Sequence, residues 1–259
     1  MSIAARFRFL FLLIACGLPC AAAGASELSR TIGTLKGSIV GVGSLLRVRN
    51  PPITFRGTGF VVGDGLSVIT NAHVVPELLD TENKETLGIV IGKGDNNIEF
   101  RSAVLVAIDK EHDLAHLRLS GTPLPALTLG EASSAAEGQA LAFTGFPLGM
   151  VLGLHPATHR ATLAAITPIV MPSLSSRILD ARAITQLQRT PFAIFQLDGT
   201  AYPGNSGSPV YDPETGVVLG VINMVLVKGL KETAITNPSG IAYAVPVNYV
   251  RDLLQRKSP

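Results

Sequence analysis

No tryptophan occurs in this chain, and both of its cysteines, Cys16 and Cys20, fall in the first 25 residues. Everything after that stretch is therefore built without disulfides and without thiolate metal ligands. Aromatic residues are only 5% of the sequence, so Val, Leu, Ile and Ala are expected to make up most of the interior. Charged residues are also few, 15%, with a formal net charge of +2, which gives neither the basic footprint of a nucleic-acid binder nor an acidic surface. No internal repeat and no long low-complexity tract is present, which excludes solenoids and arrays. What remains is abundant apolar residue, 47% of 259 positions, enough for a globular unit stabilised by its own core.

The N-terminus has the pattern of an export signal. Arg6 and Arg8 precede an uncharged run from Phe9 to Ala25, and Ala21, Ala23 and Ala25 offer small-residue cleavage sites. Gly17 and Pro19 interrupt the run, which sits at the short end of the roughly 17–25 residues a spanning helix needs. "LIAC", Leu13 to Cys16, also fits a lipid-attachment motif with Cys16 as the modified residue. Three fates stay open: a signal peptide over 1–25 that is cleaved, lipidation, or retention as an anchor. Membrane association, where it exists, is expected through this segment alone.

From Ser38 onward the sequence reads as short strands. "GTGFVVGDGLSVIT", Gly57 to Thr70, holds two apolar runs around Gly63-Asp64-Gly65, a hairpin signal. Similar short runs follow to "IAYAVPVN", each broken by Gly, Pro, Asp or Asn. Many short strands with closely spaced turns imply an all-β, antiparallel architecture forming one unit from two sheets. Three stretches read as helical: a lead-in segment over 26–37, Ser173 to Arg189, and "PVNYVRDLLQRK" with Val247, Val250, Leu253 and Leu254 on one face.

The densest chemistry is "YPGNSGSPV", Tyr202 to Val210. Gly, Asn, Ser and Pro are ordinary turn residues, so a surface turn explains it. A second reading makes Ser206 a nucleophile on a tight loop. A serine hydroxyl then needs a base, and the base a carboxylate that holds its tautomer. All five histidines, His73, His112, His116, His155 and His159, precede Ser206, which excludes the chain order of α/β-hydrolases. His112 and His116 in "HDLAH" share the spacing of a zinc motif. On the strand that their apolar pattern favours, however, their Cα atoms would lie about 13 Å apart. No metal and no cofactor is expected there. "HPATH", 155–159, reads as loop.

"TNAHVV" around His73, "DKEHDLAHLRL" around Asp113, "QLDGTAYPGNSGSPV" around Ser206, together with "GTGFVV", "FTGFPLG" and "GIAYAVPVN", occur in an order that resembles trypsin-like serine proteases, and especially the bacterial HtrA/Deg type. The resemblance covers roughly residues 38 to 254. It implies two packed antiparallel β-barrels with a C-terminal helix, the protease domain spanning 38–256 with barrel one at 38–125 and barrel two at 135–246. It implies His73 as general base, Asp113 as the orienting acid and Ser206 as nucleophile, with Asp109 a competing carboxylate. In the loop Gly204, Asn205 and Ser206, the backbone N–H groups of the glycine and the serine are implied as the oxyanion hole. The substrate pocket is expected at Thr200, with walls from "VINMV" that include Val221, Ile222 and Asn223. No carboxylate lies among those positions, so small or medium aliphatic residues are the expected preference over Lys or Arg.

Three departures from the family pattern shape further expectations. Ser208 replaces the second glycine of "GNSGGP" and is expected to be tolerated. Asn205 stands where digestive relatives carry Asp, so activation by a freed N-terminal ammonium is not expected. The chain stops soon after the C-terminal helix, so a protease unit without a PDZ domain is expected, with the segment 168–192 a candidate for substrate capture or oligomer contacts. The implied activity is that of a serine endopeptidase acting on exported or unfolded polypeptides, in the periplasm or secreted, with homo-oligomers open and no nucleic-acid partner. The alternative is a silent protease-like fold that binds peptides without cutting them.

Overall fold

The computed structural model describes residues 27–93, 97–149, 153–169, 191–223 and 240–256. Twelve strands lie among the described residues. The first six are β1 (Ile39–Leu45), β2 (Ile53–Val62), β3 (Ser67–Asn71), β4 (Thr86–Gly92), β5 (Ile98–Asp109) and β6 (Leu114–Leu119). The second six are β7 (Ala140–Gly145), β8 (Ala157–Ile169), β9 (Phe192–Asp198), β10 (Pro209–Tyr211), β11 (Val218–Ile222) and β12 (Ile241–Pro246). Helix α1 (Glu27–Leu35) precedes them and α2 (Val247–Gln255) follows. Every pairing is antiparallel, and the strands close into two barrels, β1-β2-β3-β6-β5-β4 and β7-β8-β9-β12-β11-β10. The two halves thus repeat one strand order, and the expected double barrel with a C-terminal helix is the observed architecture. Closure leaves no open edge among the described strands of either half.

Aliphatic residues fill three interiors together with a few rings, the largest fully buried side chains being Tyr211, Phe60, Phe143 and Phe195. Val40, Val42, Val61, Val68, Ile89 and Leu117 pack inside the first barrel. Leu141, Phe143, Leu163, Phe195, Leu197 and Ile222 pack inside the second. A third cluster joins the halves: Phe60, Ile69 and Leu114 from the first meet Tyr211, Val221 and Val245 from the second, with Val247, Val250 and Leu253 of α2 laid against them. That is the face of α2 expected from its spacing. Full burial of each such side chain contributes about 1.5–3 kcal/mol, which is how an interior without cross-links holds.

Local chemistry fits the chain path. Gly63 (φ +62°) and Gly65 (φ +80°) turn the β2–β3 hairpin, and Leu66 N–H donates to the Asp64 carboxylate at 3.1 Å. α1 lies within the expected lead-in segment, and its buried Thr31 donates its hydroxyl to Glu214 O at 3.0 Å. His159 differs from its expected loop: it lies in β8, opposite Phe143 in the register, with the two rings stacked 4.9 Å apart. The proline and small residues before it end at Pro156, and pairing with β7 begins at Ala157. The helix expected over Ser173 to Arg189 lies outside the described residues, as does the leader with Cys16 and Cys20.

Glu85 closes a polar knot on the first barrel. Its carboxylate accepts from the Ser44 hydroxyl at 2.6 Å, from Arg49 Nη1 at 3.0 Å and from Asp80 N–H at 3.0 Å. The Ser44 hydroxyl foremost, then the Asp80 amide and Arg49, hold its pKa down from 4.5 to about 2. A depressed carboxyl stabilises the fold above its unfolded pKa, and that contribution is lost as pH falls from 4.5 towards 2. Urea unfolding at stepped pH should therefore find Glu85→Gln clearly weaker than wild type at pH 7, with the gap narrowing through this window. A gap that stays constant with pH would refute the assignment.

Candidate active site

The register of β3 on β6 brings two chemical groups together. Asn71 pairs with Leu114, so the residues just beyond each strand end must meet. Ala72 N–H donates to Asp113 O at 3.0 Å and Asn71 Nδ2 to the same oxygen at 3.0 Å. One 3₁₀ turn, Ala72–Val74, then carries His73 over the Asp113 side chain. Asp113 itself takes φ +54°, a left-handed conformation that Asp tolerates better than most residues. That backbone bend aims its carboxylate back at the turn.

The carboxylate accepts three hydrogen bonds. His73 N–H donates to Oδ1 at 2.9 Å, His73 Nδ1 to Oδ2 at 2.6 Å, and Asn223 Nδ2 to Oδ2 at 3.0 Å. Carboxylate oxygens only accept, so the neutral imidazole carries its proton on Nδ1 and leaves Nε2 as an acceptor. Ser206 Oγ lies 3.0 Å from Nε2 and so donates to it. The three residues expected to work together are thus joined in one hydrogen-bonded row. Their side chains are mostly enclosed, His73 at 25% and Asp113 at 18% exposure.

Asp109, the competing carboxylate, is committed elsewhere. It accepts from His112 Nδ1 at 2.8 Å and from Arg256 Nη2 at 2.7 Å. Burial pushes its pKa up, but the hydrogen bonds from the His112 side chain and backbone, with the nearby Arg256 charge, hold it below the ordinary value. His112 in turn stacks on Tyr249 of α2 at 3.8 Å. His116 and His159 are half-enclosed or buried, and burial lowers the pKa of both. Neither is among the hydrogen-bond partners of His73, Asp113 or Ser206. Among the described residues no group of three or more His, Cys, Asp or Glu is arranged to hold a metal ion.

The loop around Ser206 is fixed by its own backbone. Asn205 N–H donates to Tyr202 O at 2.9 Å, Ser208 N–H to Asn205 O at 2.9 Å and Gly207 N–H to Ile222 O at 3.0 Å. From outside, Leu148 N–H donates to Pro203 O at 2.7 Å. A trans peptide points its N–H opposite its C=O. With Pro203 O and Asn205 O both held, the N–H groups of Gly204 and Ser206 face away from those partners, and neither donates to any described residue. Asn205, grouped with them from the sequence, has its N–H spent in the turn. Gly204 takes φ +100°, and a Cβ there would lie 2.2 Å from Phe146 O, so no other residue fits.

The expected pocket residues divide. Thr200 is half-buried beside the loop. Val221 and Ile222 are fully buried in core clusters. Asn223 is 2% exposed and reaches Asp113, a partnership the sequence reading did not assign. The last two residues of "VINMV" lie outside the described residues. Two open cavities flank the row: one of about 660 Å³ lined by Ile53, Phe55, Arg56, Leu148, Pro203 and Gly204, and one of about 960 Å³ that includes His73, Leu78, Leu105, Ile108 and Asp113. Arg56 borders both.

Behind the loop, Asn205 is 0% exposed and neither its Nδ2 nor its Oδ1 has a partner among the described residues. Ser208 Oγ is likewise buried and unpartnered, and fits only because Gly145 faces it: a Cβ at 145 would lie 1.9 Å from that oxygen. Asn205→Asp places an unpaired carboxylate in this space, where an uncompensated charge costs about 3–5 kcal/mol. The penalty should be present at pH 7 and fade below about pH 4, where the carboxyl is neutral in both states. Thermal unfolding of the variant across pH checks this; a variant as stable as wild type at pH 7 would contradict the enclosed site.

The trypsin-like peptidase domain family matches residues 57–221. A probable periplasmic serine endoprotease DegP-like from Halomonas elongata is 26% identical over 197 residues, covering 76% of this chain and 34% of that protein. The mitochondrial serine protease HTRA2 of Bos taurus is 30% identical over 210 residues, 80% of this chain and 37% of its own length. The chain therefore spans little more than a third of these relatives. Among solved structures, an HtrA-type protease AlgW bound to a decapeptide superposes with a TM-score of 0.63 at 18% identity, covering 88% of this chain and 66% of that one. The active form of the Rv3671c protease from M. tuberculosis gives 0.60 at 21% identity, covering 86% and 82%. At these identities the structural matches speak for the fold.

Proposed function

We propose that this chain, which belongs to the trypsin-like peptidase domain family, is a serine endopeptidase that hydrolyses peptide bonds with His73, Asp113 and Ser206 as its catalytic residues. The observation that carries the reading is the unbroken row from carboxylate to hydroxyl, 2.6 Å and then 3.0 Å, with the imidazole tautomer set for accepting a proton. Ser206 Oγ attacks the scissile carbonyl carbon as His73 Nε2 removes its proton. The carbonyl oxygen becomes an oxyanion facing the unspent N–H groups of Gly204 and Ser206. The C–N bond breaks, the amine leaves with the proton from Nε2, and an ester to Ser206 remains. Water, deprotonated by the same nitrogen, cleaves that ester and restores the hydroxyl. Asp113 stays ionised throughout and stabilises the imidazolium.

The substrates are exported or unfolded polypeptides. Two features support this: the export-type leader, and a cleft open on both sides of the row, as an extended chain requires. The neutral side chain of Thr200 supports a preference for small or medium aliphatic residues over Lys and Arg. The periplasm or the exterior is the proposed compartment. No helix among the described residues is long and apolar enough to cross a membrane.

Casein digestion and fluorophosphonate labelling test the reading together. Wild type should do both. Ser206→Ala should abolish the label and, like His73→Ala, reduce turnover by about 10⁶-fold, and Asp113→Asn should reduce it by about 10⁴-fold. A wild-type protein that takes no label and cuts nothing would leave a peptide-binding module instead.

A further inference from the structure

Thr58 stands between Gly57 and Gly59 on β2 and is completely buried. Both of its hydrogen-bonding ends reach across from the first barrel to the nucleophile loop of the second. Its N–H donates to Ser206 O at 2.8 Å. Its hydroxyl donates to Gly204 O at 2.7 Å, and the hydroxyl oxygen itself accepts from Phe146 N–H at 3.1 Å. Its carbonyl accepts from the Thr70 hydroxyl at 2.7 Å, so no rotation of the residue is free. Gly57 beside it and Gly207 in the loop permit this approach. A Cβ at Gly57 would lie 3.0 Å from Ser206 O and 2.7 Å from Val74 Cγ2, the neighbour of His73. A Cβ at Gly207 would lie 2.0 Å from Thr58 O. β2 is therefore wedged between the histidine turn and the serine loop.

The peptide geometry gives the hydroxyl a defined task. Gly204 has no Cβ to restrain it, and its two flanking peptides decide where its N–H and that of Asn205 point. Leu148 N–H fixes the peptide before it through Pro203 O, and the Thr58 hydroxyl fixes the peptide after it through Gly204 O. The hold on Pro203 O sets the direction of the Gly204 N–H, and the hold on Gly204 O keeps the backbone between that N–H and the Ser206 N–H from swinging. We infer that Thr58 is a positioning residue for catalysis: its hydroxyl holds the Gly204–Asn205 peptide, the link between the two donor-bearing peptides, so that both oxyanion donors stand ready before substrate arrives. The Phe146 amide completes the device. It engages the same hydroxyl oxygen as an acceptor, which directs the single hydroxyl proton at Gly204 O.

The inference rests on the serine-endopeptidase reading, and one set of measurements separates the two. Thr58→Val keeps the shape and removes the hydroxyl; Thr58→Ser keeps the hydroxyl. On an internally quenched peptide, Thr58→Val should lose kcat by on the order of 10²-fold, the scale of a lost oxyanion donor, with KM within about two-fold of wild type. A peptide aldehyde, which binds as a tetrahedral adduct on Ser206, should weaken by the same factor. Binding of the uncut peptide to a Ser206→Ala background should not change. Thr58→Ser should restore kcat to within about five-fold. If the valine does not fold, Thr58→Ala, which adds no atom, should give the same pattern. An active wild type whose Thr58→Val or Thr58→Ala variant keeps kcat within about three-fold, or whose loss the serine fails to rescue, overturns the role of Thr58 alone. An inactive wild type overturns both.

Discussion

The contact between Asp113 Oδ2 and His73 Nδ1 is the one on which the site depends, because it decides which ring nitrogen is bare. Without a carboxylate on Nδ1, the proton is as well placed on Nε2, and a hydroxyl facing that nitrogen meets a donor instead of an acceptor. The contact is a product of sheet register. Asn71 opposite Leu114 places the two strand ends side by side, and a slip of one residue would turn either side chain to the other face. Several bonds then hold the carboxylate in one orientation: the His73 amide on Oδ1, and Asn223 beside the ring on Oδ2. Asn223 belongs to the second half of the molecule, immediately after β11. The acid of the first barrel is thus finished by an amide of the second.

Much of this was legible in the residues. Short apolar runs with Gly-Asp-Gly or Gly-rich breaks gave strands, because a β-strand needs only local alternation and a turn. α2 was legible because Val247, Val250 and Leu253 fall on one helical face whatever they pack against. His73, Asp113 and Ser206 were legible through their ordered phrases, each carrying the glycines or polar residues its turn requires. His159 was misread because Pro and Thr beside it suggest a loop, while its actual role, a ring stacked on Phe143 across a ladder, is set by a partner sixteen residues away.

The pocket positions show a different limit. Val221 and Ile222 are expected as pocket walls because they belong to "VINMV", yet adjacent strand residues face opposite sides and both of these sides are interior. A strand buried on both faces reads as a continuous apolar run, and such a run does not disclose which residue meets the cleft. Asn223, the polar residue at its end, is where the strand emerges. Asn205 illustrates the same point in the loop: it was grouped with the donors beside it, but its amide closes the turn that presents them. Sequence proximity marks the loop, and only the hydrogen-bond accounting assigns each N–H.

That accounting also explains why the cleft lies where the halves meet. Thr58 of the first barrel holds Gly204 O and Ser206 O of the second, and Asn223 of the second holds Asp113 of the first. The two links run in opposite directions, one to the nucleophile loop and one to the acid. Neither barrel alone supplies the row: the first brings the imidazole of His73 and the carboxylate of Asp113, the second the hydroxyl of Ser206. Separating the halves by even an ångström would break bonds of 2.7–3.0 Å on both sides of the row at once. The apolar cluster of Phe60, Ile69, Leu114, Tyr211, Val221 and Val245, with α2 laid over it, is what resists that separation. This interface core, aliphatic residues set around the rings of Phe60 and Tyr211, thereby fixes by its close packing the one distance that neither half can fix alone.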